Sequence, residues 1–170
     1  MSAARPGFAF LRRHPAHWVA LGFGSGLAPR APGTVGTLWA WAAFVVLERW
    51  LDDRGFVLLI ALSLAVGLWA CTVTARHLDV ADPSAVVWDE VVAFWIVLWV
   101  IAPAGVLLQG MAFALFRYFD AVKPGPVGWA DRLLHGPGWR GGLGILFDDL
   151  VAAGCTLLVI AAGVTLWRWL

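Results

Sequence analysis

The chain has 170 residues, 61% of them hydrophobic and only 14% charged, with a formal net charge of +1. A soluble domain carries about 25% charged residues, so the composition argues for a membrane protein. The charge balance names no partner and gives no reason to expect nucleic acid. The length fits one compact unit, expected as a single membrane domain over residues 1–170.

Residues 1–21 read as a retained N-terminal cytoplasmic arm. Arg12 and Arg13 look like the charged start of a signal peptide, but Pro15 and His17 follow. The apolar run at 18–21 falls short of the usual ~7–15 residues. Residues 22–37, Gly-Phe-Gly-Ser-Gly-Leu-Ala-Pro-Arg-Ala-Pro-Gly-Thr-Val-Gly-Thr, form a Gly/Pro loop entering a helix. Its backbone N–H groups could approach an anion, with Ser25, Thr34 and Thr37 as candidate substrate contacts. It lacks the Gly-Lys-Ser/Thr ending of a P-loop, and the plainer reading is a turn that sets the angle of the first span.

Four charge-free stretches follow: 31–47, 55–75, 91–116 and 150–167, of 17, 21, 26 and 18 residues. A spanning helix needs ~20 apolar residues. The second stretch is the cleanest span. The first is expected to become helical near Thr34 or Thr37, either of which could cap it. The third contains Pro103 and Gly105. It reads either as one tilted helix or, because proline breaks a helix, as a broken or re-entrant hairpin. The expected fold is therefore all-α: a polytopic helical bundle of three spanning helices plus that hairpin.

Basic residues set the topology. With a hairpin at Pro103, Arg5, Arg12, Arg13, Arg30, Arg76, Arg117, Lys123, Arg132 and Arg140 share the cytoplasmic side, and Arg49, Arg54 and Arg168 lie opposite. Asp79, Asp82, Asp89, Glu90, Asp120, Asp131, Asp148 and Asp149 fall on the same basic side.

Charged side chains against so much apolar chain are costly and mark function. Asp89 and Glu90 open the third stretch, where helix-start electrostatics are the plain alternative. Adjacent helical residues diverge by about 100°, so one acid can bind metal while the other orients. Arg117 and Asp120 share a helix face, Lys123 follows in the last turn, and Pro124 ends the helix. Asp148 and Asp149 open the last span. Helix-start placement explains one of them and a cation explains both. Acids interleaved with bases suit a divalent cation and a phosphate. Cys71 and Cys155 read as apolar packing residues. His14, His17 and His77 read as interfacial or structural, His135 lies in the charged loop, and none shows metal-ligand spacing. No Gly-x-Ser-x-Gly elbow is present. The twelve tryptophans mostly lie near span ends, where interfacial anchoring is expected.

At these residues the chain resembles the phosphatidylglycerophosphatase A family. The matching segments are Gly-Phe-Gly-Ser-Gly-Leu-Ala-Pro from Gly22, Pro-Gly-Thr-Val-Gly-Thr from Pro32, Val-Trp-Asp-Glu from Val87, and Phe-Arg-Tyr-Phe-Asp-Ala-Val-Lys-Pro from Phe116. Trp-Ala-Asp-Arg from Trp129 and Gly-Leu-Gly-Ile-Leu-Phe-Asp-Asp from Gly142 complete the set. The resemblance implies an all-helical, magnesium-dependent phosphatase of the bacterial inner membrane, and the count of basic residues turns its active site toward the cytoplasm. It would remove the terminal phosphate of the anionic phospholipid phosphatidylglycerophosphate to give phosphatidylglycerol. Asp89, Glu90, Asp148 and Asp149 are the candidate Mg²⁺ ligands. Asp120 is a ligand or base, and Arg117, Lys123 and Arg132 are candidates to neutralise the phosphate. Two departures stand out: Gly125 replaces the Trp usual after Lys-Pro, and residues 137–140 look like a short insertion. The rival class is a small transporter or channel, which would place its acids at mid-span.

Overall fold

The computed structural model describes residues 6–134 and 139–169, and every described element is helical. The expectations for Arg5, for His135 and for residues 137–138 of the insertion lie outside those residues. The helices are α1 (Phe8–Leu11), α2 (Pro15–Ala20), α3 (Pro32–Leu47), α4 (Asp53–Leu78), α5 (Trp88–Ile101), α6 (Val106–Val122), α7 (Pro126–Leu133) and α8 (Trp139–Trp169), with a 3₁₀ turn over Gly22–Leu27.

Two of these helices are long and apolar enough to cross a membrane, α4 with 26 residues and α8 with 31. Their rises of about 39 and 47 Å exceed the ~30 Å hydrocarbon core. The third expected span, α3, has 16 residues, or about 24 Å, and does not reach that length alone. Its start also differs from expectation. The helix begins at Pro32 after Ala31 in the left-handed region, no side chain caps it, and the Thr37 hydroxyl donates to the Gly33 carbonyl one turn back. Proline at the first helical position supplies the pre-set φ, so no threonine cap is required. α4 does carry a side-chain cap, with Gly55 N–H donating to Asp52 Oδ1 at 2.8 Å.

The third apolar stretch is broken where proline predicts, between Ile101 and Val106. α5 and α6 run antiparallel, because Glu90 near the start of α5 meets Arg117 near the end of α6. At the opposite end of the bundle, Trp99 of α5 donates to Asp53 at the start of α4.

α5 is the central post. Nine of its 14 residues are buried, as expected of a helix enclosed on all sides. It packs against α3, α4, α6 and α8. Two of its three tryptophans are buried and serve as cross-links rather than interfacial anchors. Trp88 Nε1 donates to the Ser63 carbonyl of α4 at 3.0 Å, and Trp95 Nε1 to the Ala40 carbonyl of α3 at 2.9 Å. A buried indole N–H needs a partner, and these carbonyls supply it while fixing helix register. Outside this core, Leu58, Leu62, Leu158 and Leu166 are exposed, a broad apolar surface of the kind that faces lipid.

The N-terminal segment is not a free arm from residue 6 onward. Leu11, Ala16, Ala20 and Leu21 are fully buried, with α2 against α4. His17, also buried, lies between the Phe10 carbonyl (2.8 Å) and His77 Nδ1 (2.9 Å). The carbonyl can only accept, so Nδ1 of His17 carries the proton and Nε2 accepts from His77.

Candidate active site

Five segments meet at one end of the bundle around a cavity of about 310 Å³. The start of α3 contributes Ala31, Pro32 and Gly33, and the loop before α5 contributes Asp82 and Ser84. Asp89 and Glu90 come from the first turn of α5, Arg117, Asp120 and Lys123 from the end of α6, and Asp148 and Asp149 from α8. Six acids thus face two bases in one small space.

α8 starts at Trp139, nine residues before Asp148 (139 to 148). The two aspartates are therefore mid-helix and too far from its N-terminus for the dipole, which acts over the first turn. The helix-start reading fails for both. The ~100° turn between neighbours sends them to different partners. Asp149 joins Asp89 and Glu90, with one carboxylate oxygen from each lying within 4.8 Å of the others. Asp148 instead accepts from Lys123 Nζ at 2.5 Å. The four expected metal ligands thus divide into a cluster of three and a neighbour held by lysine.

Four of the six acids are buried, with Asp89 9% exposed, Asp120 8%, Asp148 6% and Asp149 3%, while Glu90 is half-buried and Asp82 exposed at the rim. Yet Asp89 Oδ1, Glu90 Oε2, Asp148 Oδ1 and Asp149 Oδ2 have no hydrogen-bond partner. Buried polar atoms are almost always satisfied, and unpaired buried charge is among the costliest arrangements a fold can hold. Four such oxygens facing one cavity fit a cation that bonds to them, and an all-oxygen donor set fits a hard one.

Arg117 bridges the acids. Its Nη1 pairs with Asp120 one turn on and lies 3.6 Å from Glu90 Oε1. The space for this contact exists because residue 33 is glycine. A Cβ there would collide with Glu90 Oε1 and stand 3.1 and 3.2 Å from the two Arg117 Nη atoms. Lys123 ends α6 in the left-handed region. Its ammonium bonds Asp131 and Asp148, each at 2.5 Å. Burial alone would lower its pKa; those two carboxylates outweigh burial and raise it, so Lys123 stays charged.

Other expected contacts lie elsewhere. Arg132 is on α7 and does not line the cavity. The Ser25 hydroxyl donates to the Gly22 carbonyl, closing its own turn. Thr37 is buried on the Gly33 carbonyl, and neither it nor Thr34 lines the cavity. The loop contributes backbone at Ala31–Gly33 rather than hydroxyls. No sequence motif marks Asp82, Ser84 or Asp131 as site residues; the first two line the cavity and the third holds Lys123. The charge pattern places Asp82 and Asp131 on the same side as the other acids, and only the tertiary structure brings Asp82 to the cavity and Asp131 to Lys123.

The family model for phosphatidylglycerophosphatase A matches residues 18–164. The chain is 38% identical over 151 residues to the phosphatidylglycerophosphatase A of Escherichia coli strain K12, covering 89% of this chain and 81% of that protein. It is 38% identical over 149 residues to the phosphatidylglycerophosphatase A of Haemophilus influenzae, covering 88% of each. A putative phosphatidylinositol-3-phosphatase of Bacteroides thetaiotaomicron is 34% identical over 160 residues, covering 89% of this chain and 92% of that protein. No solved structure matches the chain.

Proposed function

The chain belongs to the phosphatidylglycerophosphatase A family, and from that premise we propose that it hydrolyses the terminal phosphate monoester of phosphatidylglycerophosphate in a Mg²⁺-dependent reaction. The reaction releases inorganic phosphate and leaves phosphatidylglycerol, a step of phospholipid biosynthesis. The observation that carries the metal reading is the set of four unpartnered carboxylate oxygens around one cavity. Six acids against two bases would repel a phosphate dianion; a divalent cation offsets part of that charge and puts a positive centre where the phosphate must sit.

Asp89, Glu90 and Asp149 would hold the ion, with the free oxygen of Asp148 beside them. Mg²⁺ supplies Lewis-acid polarisation of the phosphoryl group and a site for an attacking water. The chain's own residues do the rest. Arg117, oriented by Asp120 and Glu90, offers planar N–H donors to phosphate oxygens. Lys123, held by Asp131 and Asp148, puts a second fixed positive charge on the cavity wall. Both stabilise charge that grows on the phosphoryl oxygens during transfer. Asp131 and Asp148 act by fixing where the Lys123 ammonium sits.

In the membrane, the acid-rich end faces the cytoplasm, because the basic residues gather there. α4 and α8 span. α5 and α6 rise about 21 and 26 Å and form a hairpin that returns to the cytoplasmic side; its turn at Pro103 is exposed and lies at the end of the bundle where Trp99 meets Asp53. A transporter would need charge along a path across the bundle. Here the acids cluster at one end, and the far end holds only Glu48, Asp52 and Asp53 among the described acids.

The test is phosphate release from the lipid substrate by the purified protein, with and without Mg²⁺, for the wild type and Asp149→Asn. The expected result is Mg²⁺-dependent release that the variant loses by on the order of 100-fold or more, while it still inserts and purifies. Near-full turnover by Asp149→Asn would overturn the assigned cluster.

A further inference from the structure

α3 and α6 each pack on α5 but leave a trough between them on its outer side. It has a volume of about 660 Å³ and is lined by Leu38, Trp41, Ala42 and Val45 of α3, by Val106 and Gln109 of α6 and, at the far mouth just past the end of α3, by Glu48. Leu38 is 47% and Val106 76% exposed, so the trough opens sideways. The indole and the amide between its walls are internally satisfied. Trp41 Nε1 donates to Gln109 Oε1 at 2.6 Å, and Gln109 Nε2 donates to the Ala104 carbonyl at 2.8 Å. Trp41 in turn stacks on Phe113 with ring centroids 5.9 Å apart, forming an apolar floor.

The trough leads to the acidic cavity along both of its walls. On α6, Val106, Gln109, Phe113 and Arg117 recur at steps of three and four and so share one face. Arg117 lines the cavity. On α3, Leu38, Trp41 and Val45 share a face whose preceding turn, at Thr34, adjoins the cavity residue Gly33. From Gly33 to Val45 the helix rises about 18 Å. One end of a continuous surface is charged and cation-binding in character, and the other is apolar and open to the side. A phospholipid has that division: a phosphate head joined to a hydrocarbon chain. The volume is within the ~300–1,000 Å³ typical of ligand pockets.

We propose that the α3–α6 trough holds an acyl chain of the lipid substrate while its terminal phosphate occupies the acidic cavity. Trp41 is then a positioning residue that sets the depth of the chain, and Ala42 and Val45 keep the trough wide enough to take it. This rests on the lipid-phosphatase reading. It explains why a half-buried tryptophan and the amide it bonds sit together on the outer side of the bundle. It also makes lateral access from the bilayer the route by which substrate reaches the site.

Ala42 is exposed, so a larger side chain there fills the trough without entering the core. The experiment compares wild type and Ala42→Phe on two substrates. One is a long-chain phosphatidylglycerophosphate in detergent micelles; the other is a soluble phosphomonoester with the same headgroup and no acyl chains. The expected result is a rise in KM of about tenfold or more for the long-chain lipid, with kcat/KM for the soluble compound unchanged. In the wild type, a long-chain substrate carrying a photoreactive group on its acyl chain should crosslink within residues 38–45 or 106–113. Equal losses on both substrates would overturn the proposal, because the variant would then be disturbing the cavity rather than the chain. So would unchanged kinetics on both, or crosslinks confined to other helices, which would make the trough a site for bulk lipid only. A wild type that hydrolyses neither substrate would instead overturn the lipid-phosphatase reading itself.

Discussion

Gly33→Ala tests how the site is held. The added methyl would collide with Glu90 Oε1 and lie 3.1 and 3.2 Å from the Arg117 Nη atoms. Carbon and its neighbours settle at about 3.5–4.0 Å, so the guanidinium must withdraw by a few tenths of an ångström and Glu90 by more. Overpacking of this kind costs about 1–3 kcal/mol. Alanine in a helix returns up to about 1 kcal/mol relative to glycine, which leaves a net loss of roughly 0–2 kcal/mol. Stability should therefore fall little. Activity should fall much more, because a displacement of about 1 Å at reacting groups costs on the order of 100-fold. The measurement is initial phosphate release over a Mg²⁺ titration, alongside thermal unfolding in detergent. Gly163→Ala is the control, since nothing lies within 4 Å of its added methyl; it should keep full turnover. A Gly33→Ala enzyme with wild-type turnover and wild-type Mg²⁺ requirement would refute the claim that this close approach positions Glu90 and Arg117.

Lys123→Gln and Asp148→Asn should each destabilise the protein, and the double variant by less than their sum, with a coupling of about 1–3 kcal/mol in a double-mutant cycle; strict additivity would mean that the 2.5 Å pair contributes nothing. Single cysteines replacing Ser84 and Trp129, both exposed, should react with a membrane-impermeant reagent from the same side of the membrane. Labelling from opposite sides would break the hairpin and the single-face site together. His17 should make the fold acid-sensitive. Burial, with His77, His14 and Arg13 nearby, lowers its pKa from the usual 6.5 despite the Phe10 carbonyl. A His with a depressed folded pKa costs nothing above the unfolded value and destabilises progressively as pH falls below about 6.5. His17→Gln should flatten that slope in a pH series of melting temperatures, and an unchanged slope would assign it to other groups.

Composition and patterning are enough to announce an all-helical chain with long apolar helices, because a long apolar run has few ways to satisfy its backbone except as helix. They also located the break at Pro103, where a missing N–H and a ring clash act locally. The charge count alone gathered the acids and bases on one face, since topology follows from sequence order once the crossings are known. What residue order could not decide was rotation. Whether Asp148 or Asp149 turns toward Asp89 and Glu90 depends on the phase of α8, which starts at Trp139, nine residues earlier than its charge pattern suggests. The same holds for Trp88 and Trp95, whose indole N–H groups read as interfacial until α5 is seen enclosed by its neighbours. Gly33 is the clearest case. In sequence it is one glycine of a turn; only the packing of α3 against α5 and α6 brings a glutamate and an arginine against its Cα, and so makes the absence of a side chain there part of the site.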